Sequence, residues 1–230
     1  MAQCRAFGAY CTVRSRDPQA QMFRQLTPAV RVLLYANVIV FALTVLVGER
    51  TRDVIEGLFA LWPLDSARMG YPPFEPWQLI TYAFLHAGWW HLFGNMFALY
   101  MFGPDSERLL GTRRFTIYYF VCVLGAAVSQ LLVSKYLYPG PSETIGASGG
   151  IFGILLLYGM AFPHRQLLLL FPPIPMPAWL FVTLYGVLEL ALGVFGTSQG
   201  VAHFAHLGGM ATGYVLIRYW RARSGSRYRY

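Results

Sequence analysis

The chain has 230 residues, of which 56% are hydrophobic and 17% aromatic, while only 12% are charged; a soluble domain carries about twice that charged share. Such a chain cannot cover itself with polar surface, which excludes an ordinary soluble fold and points to a membrane protein. Its excess of 18 basic over 10 acidic residues needs no nucleic-acid partner, because contact with anionic lipid heads and the positive-inside bias account for it.

In chain order, residues 1–30 read as a basic cytoplasmic tail; the segment before the first apolar run carries Arg5, Arg14, Arg16, Arg24 and Arg31 against the one acid Asp17. An organelle transit peptide has a similar composition and stands as the alternative. The first apolar run, Val32 to Val47, begins about 30 residues in and lacks a small-residue cleavage pattern before Glu49, so it reads as a retained helix and not a signal peptide. A long outer loop follows, about 49–77, holding Leu58 to Leu64 and Tyr71 to Trp77. Its aromatic, proline and acidic residues suit a segment half sunk in the outer leaflet.

Five more apolar runs come next: Trp89 to Phe102, Phe115 to Val133, Ile151 to Phe162, Ala178 to Phe195 and Phe204 to Trp220. The second and fourth of the six are short beside the roughly 20 residues of a full span, so they either borrow apolar residues upstream or begin below the membrane surface. Residues 221–230 form a second basic tail. The expectation is one all-α polytopic domain, 31–220, with six transmembrane helices and both termini cytoplasmic. Of the 18 basic residues, 14 then fall inside, and Arg50, Arg52, Arg68 and Lys135 fall outside. Cys4, Cys11 and Cys122 fit neither a disulfide framework nor a CxxC metal site and read as reduced thiols.

Helix rise sets depths. From Ser148 to Phe162 and from His206 to Trp220 are each 14 steps, about 21 Å, which leaves both side chains about 10 Å short of the outer surface of a core roughly 30 Å thick. His91 comes to nearly the same level, with Asn95 one turn lower on the same face. Polar side chains inside a bilayer are costly and tend to face the bundle interior. Singly, a buried serine or histidine is more often a satisfied packing residue; four of them meeting at one level from three helices make a site.

Gly146-x-Ser148-x-Gly150 also spells the nucleophile elbow of a soluble hydrolase, which would be a sharp strand-to-helix turn. In the membrane reading, His206 supplies the base that a serine nucleophile needs. No acid lies near that depth on the helices carrying the two residues, so they read as a pair and not a triad. His91, Asn95 and the free backbone N–H of Ser148 near its helix start are candidate donors to an oxyanion. Gly149 and Gly153 follow Ser148, and Gly209 and Gly213 share the face of His206, so small residues would let the fourth and sixth helices approach and bring hydroxyl to ring.

Gly146-Ala147-Ser148-Gly149, His91-x-x-x-Asn95 and Ala205-His206-Leu207-Gly208-Gly209 resemble the three signature motifs of rhomboid intramembrane serine proteases, in the right order along Val32 to Trp220. The resemblance implies a six-helix core in which Ser148 attacks a substrate carbonyl and His206 acts as base and then acid. It also implies an oxyanion hole of His91, Asn95 and the Ser148 N–H. The implied partners are transmembrane segments of other proteins and the lipid bilayer, with no cofactor, no metal and no obligate protein partner. The implied location is a multi-pass one, in a bacterial plasma membrane or an organelle membrane. Two positions depart from the family pattern: Phe152 stands where a tyrosine often stacks on the catalytic histidine, and Trp77-Gln78 stands where many bacterial members have Trp-Arg.

His203 shares the face of His206, and this His-x-x-His spacing could bind metal; without HExxH it reads as a structural or supporting residue. Glu189, the one acid inside an expected span, reads as hydrogen-bonded to a neighbour, with gating or hydration as the sharper role. His86 reads as an interfacial residue, and the short connection Gly196 to Val201 as a cap on the site. The competing readings are a derlin-like pseudoprotease, a metalloprotease built on His91, His203, His206 and Glu189, and a transporter, which the lack of an inverted repeat disfavours.

Overall fold

Backbone polar groups have no water to bond inside hydrocarbon, so apolar runs of this length can be satisfied only as helices. The computed structural model, which describes residues 26–168, 174–195 and 200–223, has them as helices. Helix α1 (Pro28–Leu46) starts with Pro28, whose missing N–H costs nothing in a first turn. It is followed by α2 (Glu49–Phe59), α3 (Gln78–Thr81), α4 (Trp89–Leu110), α5 (Thr112–Tyr136), α6 (Ser148–Ala161), α7 (Ala178–Phe195) and α8 (Gly200–Arg223). Helices α1, α5 and α7 are each long and apolar enough to cross a membrane. Helix α6, at 14 residues, is about 21 Å long and shorter than a hydrocarbon core. Large apolar side chains face outward along α1 and α7, among them Val32, Ile39, Leu43, Leu184, Val187 and Leu190.

Glycine seams hold the inner helices together. A Cβ on Gly209 of α8 would fall onto the carbonyl oxygen of Gly149 on α6. Of the other expected glycines, Gly213 faces Tyr118 and then Cys122 of α5, Gly153 faces Cys122 and then the Gly209 carbonyl, and Gly149 faces Ala126; Gly125 of α5 faces Thr212 of α8. Tyr118 Oη donates to the Gly153 carbonyl at 2.7 Å. The seam expected between two helices is therefore a three-helix seam, with α5 packed into both α6 and α8. Close backbone approach is how membrane helices gain packing without a hydrophobic driving force.

The first loop is folded. Leu61 and Thr144 exchange backbone hydrogen bonds of 3.0 and 2.9 Å, and Ala60, Trp62 and Leu85 form a buried cluster. Gln78 is fully buried: its Oε1 accepts from the Trp62 N–H (3.2 Å), and its Nε2 donates to the carbonyls of Pro73 (3.2 Å) and Leu58 (3.4 Å). A neutral amide thus anchors this loop.

Two features differ from an all-helical expectation or fall outside it. A short antiparallel ribbon pairs β1 (Gln166–Leu168) with β2 (Pro175–Pro177) between α6 and α7. Residues 196–199 of the expected cap, most of both basic tails, Cys4 and Cys11 lie outside the described residues. Cys122 is a buried free thiol. At the end of the bundle away from Ser148, Arg165 pairs with Asp105 and donates to the Tyr158 hydroxyl at 3.1 Å, tying α4 to α6.

Candidate active site

Ser148 is placed by the segment before it. Gly146 donates its N–H to the Tyr82 carbonyl at 2.9 Å and has φ +126°, a left-handed geometry that L side chains rarely adopt. A Cβ there would also lie 2.7 Å from His91 Nε2. Only glycine lets the chain pass so close to the imidazole and still turn into α6. Ser148 opens that helix, so its backbone N–H has no intrahelical acceptor. A loop precedes it, with the single bridge Leu61–Thr144 and no strand, which rules out the soluble elbow.

His206 Nε2 lies 2.7 Å from Ser148 Oγ. The ring is held on its flat side by Phe152, with centroids 4.3 Å apart and planes 6° from parallel; Tyr185 of α7 in turn stacks on Phe152 at 5.0 Å. On the ring's other edge, His206 Nδ1 lies 2.9 Å from Glu189 Oε2, and His203 Nδ1 lies 2.5 Å from the same oxygen. Glu189 is the neighbour-bonded acid of the sequence reading, but its neighbour is the base itself. The acid that the serine and histidine helices lack comes from α7, so the site is a line of Ser148, His206 and Glu189. The same three residues, Glu189, His203 and His206, offer ligand-type atoms within 4.8 Å of one another. Their spacing matches hydrogen bonds; zinc would need each ligand at about 2.0–2.2 Å from the ion.

His91 and Asn95 lie one turn apart on α4, and Asn95 Nδ2 donates to the His91 carbonyl at 2.9 Å. His91 Nδ1 accepts from the Ala87 N–H at 3.4 Å, so a neutral ring carries its proton on Nε2. That is the atom nearest Gly146, on the side of Ser148. The interfacial reading of His86 is corrected: it is 3% exposed and packs edge-on to the His91 ring at 5.0 Å. Burial first, and His91 second, push the His86 imidazole down to about 4, so it stays neutral beside His91 at neutral pH and supports it by packing.

Ser148, His206, His91, Phe152 and His203 therefore converge, with Gly149 and Gly209 forming the backbone contact beneath them, while Asn95 lies one turn along α4 from His91 and bonds to its carbonyl. Sequence reasoning passed over the pairing of Glu189 with His206 and the clearance Gly146 provides. A signal for the first was present, since an acid inside an apolar helix needs a partner, but which helix supplies that partner is not written in its own periodicity.

The Rhomboid domain family matches residues 73–223. The chain is 34% identical over 160 residues to Rhomboid protein 1, mitochondrial, of Saccharomyces cerevisiae, covering 66% of this chain and 44% of that protein. It is 31% identical to Rhomboid-like protein 11, chloroplastic, of Arabidopsis thaliana, covering 64% and 54% respectively. Rhomboid protease GluP of Bacillus subtilis is 28% identical over 202 residues, covering 86% of this chain and 36% of GluP. The chain spans about half or less of the length of these relatives.

Proposed function

Since the chain belongs to the rhomboid family, we propose that it is an intramembrane serine endopeptidase that cuts transmembrane segments of other proteins through Ser148 and His206. The observation that carries this reading is the 2.7 Å contact between Ser148 Oγ and His206 Nε2, inside a bundle whose outward faces are apolar. In this reading residues 31–220 form the protease domain, with six spans and both termini on the cytoplasmic side. The host is a bacterial plasma membrane, with an organelle membrane as the alternative because relatives are named mitochondrial and chloroplastic.

Ser148 Oγ attacks the scissile carbonyl carbon as its proton passes to His206 Nε2, and the carbonyl π pair moves onto oxygen. The oxyanion is met by the Ser148 N–H, by His91 Nε2–H and by the Asn95 amide. Collapse breaks the C–N bond, and the imidazolium returns the proton to the leaving nitrogen. Water then repeats the sequence on the acyl ester: its proton goes to His206, and the Ser148 oxygen leaves and is reprotonated. Phe152 keeps the imidazole in plane while it gains and loses that proton. It supplies a ring face as a tyrosine would, without a hydroxyl.

The test is cleavage, in detergent and in vesicles, of a fusion protein with one transmembrane segment bearing small residues near its outer end. Wild type is compared with Ser148→Ala and with wild type plus chelator. Ser148→Ala is expected to lose at least about 10³-fold in kcat, and chelator to change nothing. Cleavage by the alanine variant at the wild-type rate sinks the serine mechanism. Loss with chelator alone moves the chemistry to the Glu189, His203 and His206 cluster. A protein that folds, binds the segment and never cuts it is a pseudoprotease.

A further inference from the structure

We infer that Glu189 is a positioning residue for His206, making the site a Ser148–His206–Glu189 triad assembled from three helices, with His203 holding the carboxylate in place. This rests on the serine reading above and goes beyond it, because a Ser–His pair needs no third member.

Donor and acceptor inventories fix the tautomer of His206. An ionised carboxylate can only accept hydrogen bonds, so the 2.9 Å contact of Glu189 Oε2 requires His206 Nδ1 to carry hydrogen. A neutral His206 then has its lone pair on Nε2, the atom 2.7 Å from Ser148 Oγ. The carboxylate thus selects the tautomer that can take the serine proton. When that proton arrives, the positive ring faces a negative oxygen on a carboxylate whose side chain is 7% exposed, where the attraction is stronger than in solvent. Glu189 accepts the Nδ1 hydrogen bond throughout and takes no proton.

His203 supplies the second half. Its Nδ1 donates to the same Oε2 at 2.5 Å, so the oxygen is fixed between two rings one helical turn apart on α8. Glu189 is 5% exposed; a carboxylate so buried on an apolar helix would be costly without such donors. Among the described residues, the groups that face His206 are Ser148 and Phe152 on α6, Glu189 on α7 with Tyr185 beside it, His203 on α8 and His91 on α4. Glu189 is the one carboxylate among them.

The test uses the full chain and a fluorophosphonate probe, which needs no knowledge of the natural substrate. Ser148 Oγ displaces fluoride from phosphorus and its proton passes to His206, so the labelling rate reports activation of the serine. Wild type, Ser148→Ala, Glu189→Gln, Glu189→Asp and Glu189→Ala are labelled across pH 5 to 9, and each is melted to confirm its fold. Glutamine can turn its amide N–H toward Nδ1 and select the wrong tautomer, so Glu189→Gln is expected to slow labelling and kcat on the order of 10²–10⁴-fold with KM within about threefold. Glu189→Ala shifts the acid limb of the pH–rate profile to lower pH, because the imidazolium loses its counter-charge. Glu189→Asp, which keeps the charge one bond further back, recovers part of the rate.

Folded Glu189→Gln that labels within threefold of wild type, with an unmoved acid limb, overturns the inference. If glutamine and alanine both prevent folding, Glu189→Asp decides: slower labelling at a wild-type melting temperature supports the triad, and wild-type labelling overturns it. Failure of the serine reading looks different, since Ser148→Ala would then label and cut.

Discussion

Two glutamates are buried in this bundle, Glu189 at 5% exposure near the serine and Glu107 at 2% near the opposite end of α4, and their partners separate their roles. Glu107 caps a helix: its Oε1 and Oε2 accept from the Ala29 and Val30 N–H groups at 3.0 Å each, and Thr112 Oγ1 adds a bond of 2.7 Å. Those are the orphan donors of the first turn of α1, where the helix dipole also favours negative charge. None of these donors changes protonation in the working range. Among the described residues, Glu189 meets only imidazoles, side chains that can serve as proton acceptors in catalysis. A buried carboxylate among fixed donors stabilises one structure, whereas one among titratable donors can couple to chemistry.

The change expected to erase the comparison altogether is Gly209→Val. Its side chain would drive into the Gly149 carbonyl, and backbone cannot yield as a flexible side chain can. The expected result is loss of both cleavage and cooperative melting; a folded, active Gly209→Val protein would mean that the three-helix seam does not set the geometry of the site.

Glu107→Gln sharpens the comparison. It should lower stability by about 2 kcal/mol, since charge-assisted bonds to a helix terminus are lost, while kcat at temperatures below melting stays within about twofold of wild type. A fall in kcat with unchanged melting would reverse the assigned roles. pH adds an independent reading. Burial pushes the Glu107 carboxyl up, but the polar groups of Thr27, Ala29, Val30 and Thr112 that face it outweigh that and hold it below the ordinary carboxylate value. A depressed carboxyl contributes stability above its unfolded value of 4.5 and loses it as pH falls through the folded value. The melting gap between wild type and Glu107→Gln should therefore be full at pH 6 and narrow below pH 4.5. A gap that stays constant down to pH 3 would mean the carboxylate charge is not what stabilises α1.

The smallest effect belongs to Phe152. Because the stack on His206 uses only the ring face, Phe152→Tyr should keep kcat within about threefold, whereas Phe152→Leu should cost about 1 kcal/mol of transition-state stabilisation, roughly five- to tenfold in rate. Equal rates for the two variants would show that the stack does not position the ring.

Much of this was legible in the chain itself. Ser148, His206, His91 and Asn95 stood out because polar residues are rare in apolar runs, and helix rise alone brought them to one level. The folded first loop was legible only as interfacial material, since the bonds that make it a structure run between Gln78 and backbone groups up to 20 residues away. His86 read as interfacial because its position in sequence precedes the helix, yet the turn at Tyr82–Phe84 folds it inward against His91.

Composition, apolar run length and motif spacing carry the membrane class, the helix order and the candidate serine and histidine, because they are properties of the chain read with a 1.5 Å rise. They could not decide which helix lies beside which. Glycine faces on α6 and α8 say that something approaches closely, and only the tertiary structure shows that α5 fills part of that seam. An acid on α7 says that some partner must neutralise it, and only packing turns that acid toward His206. Periodicity fixes a residue's depth and face along its own axis, while the neighbour across that face comes from how several helices close around one another.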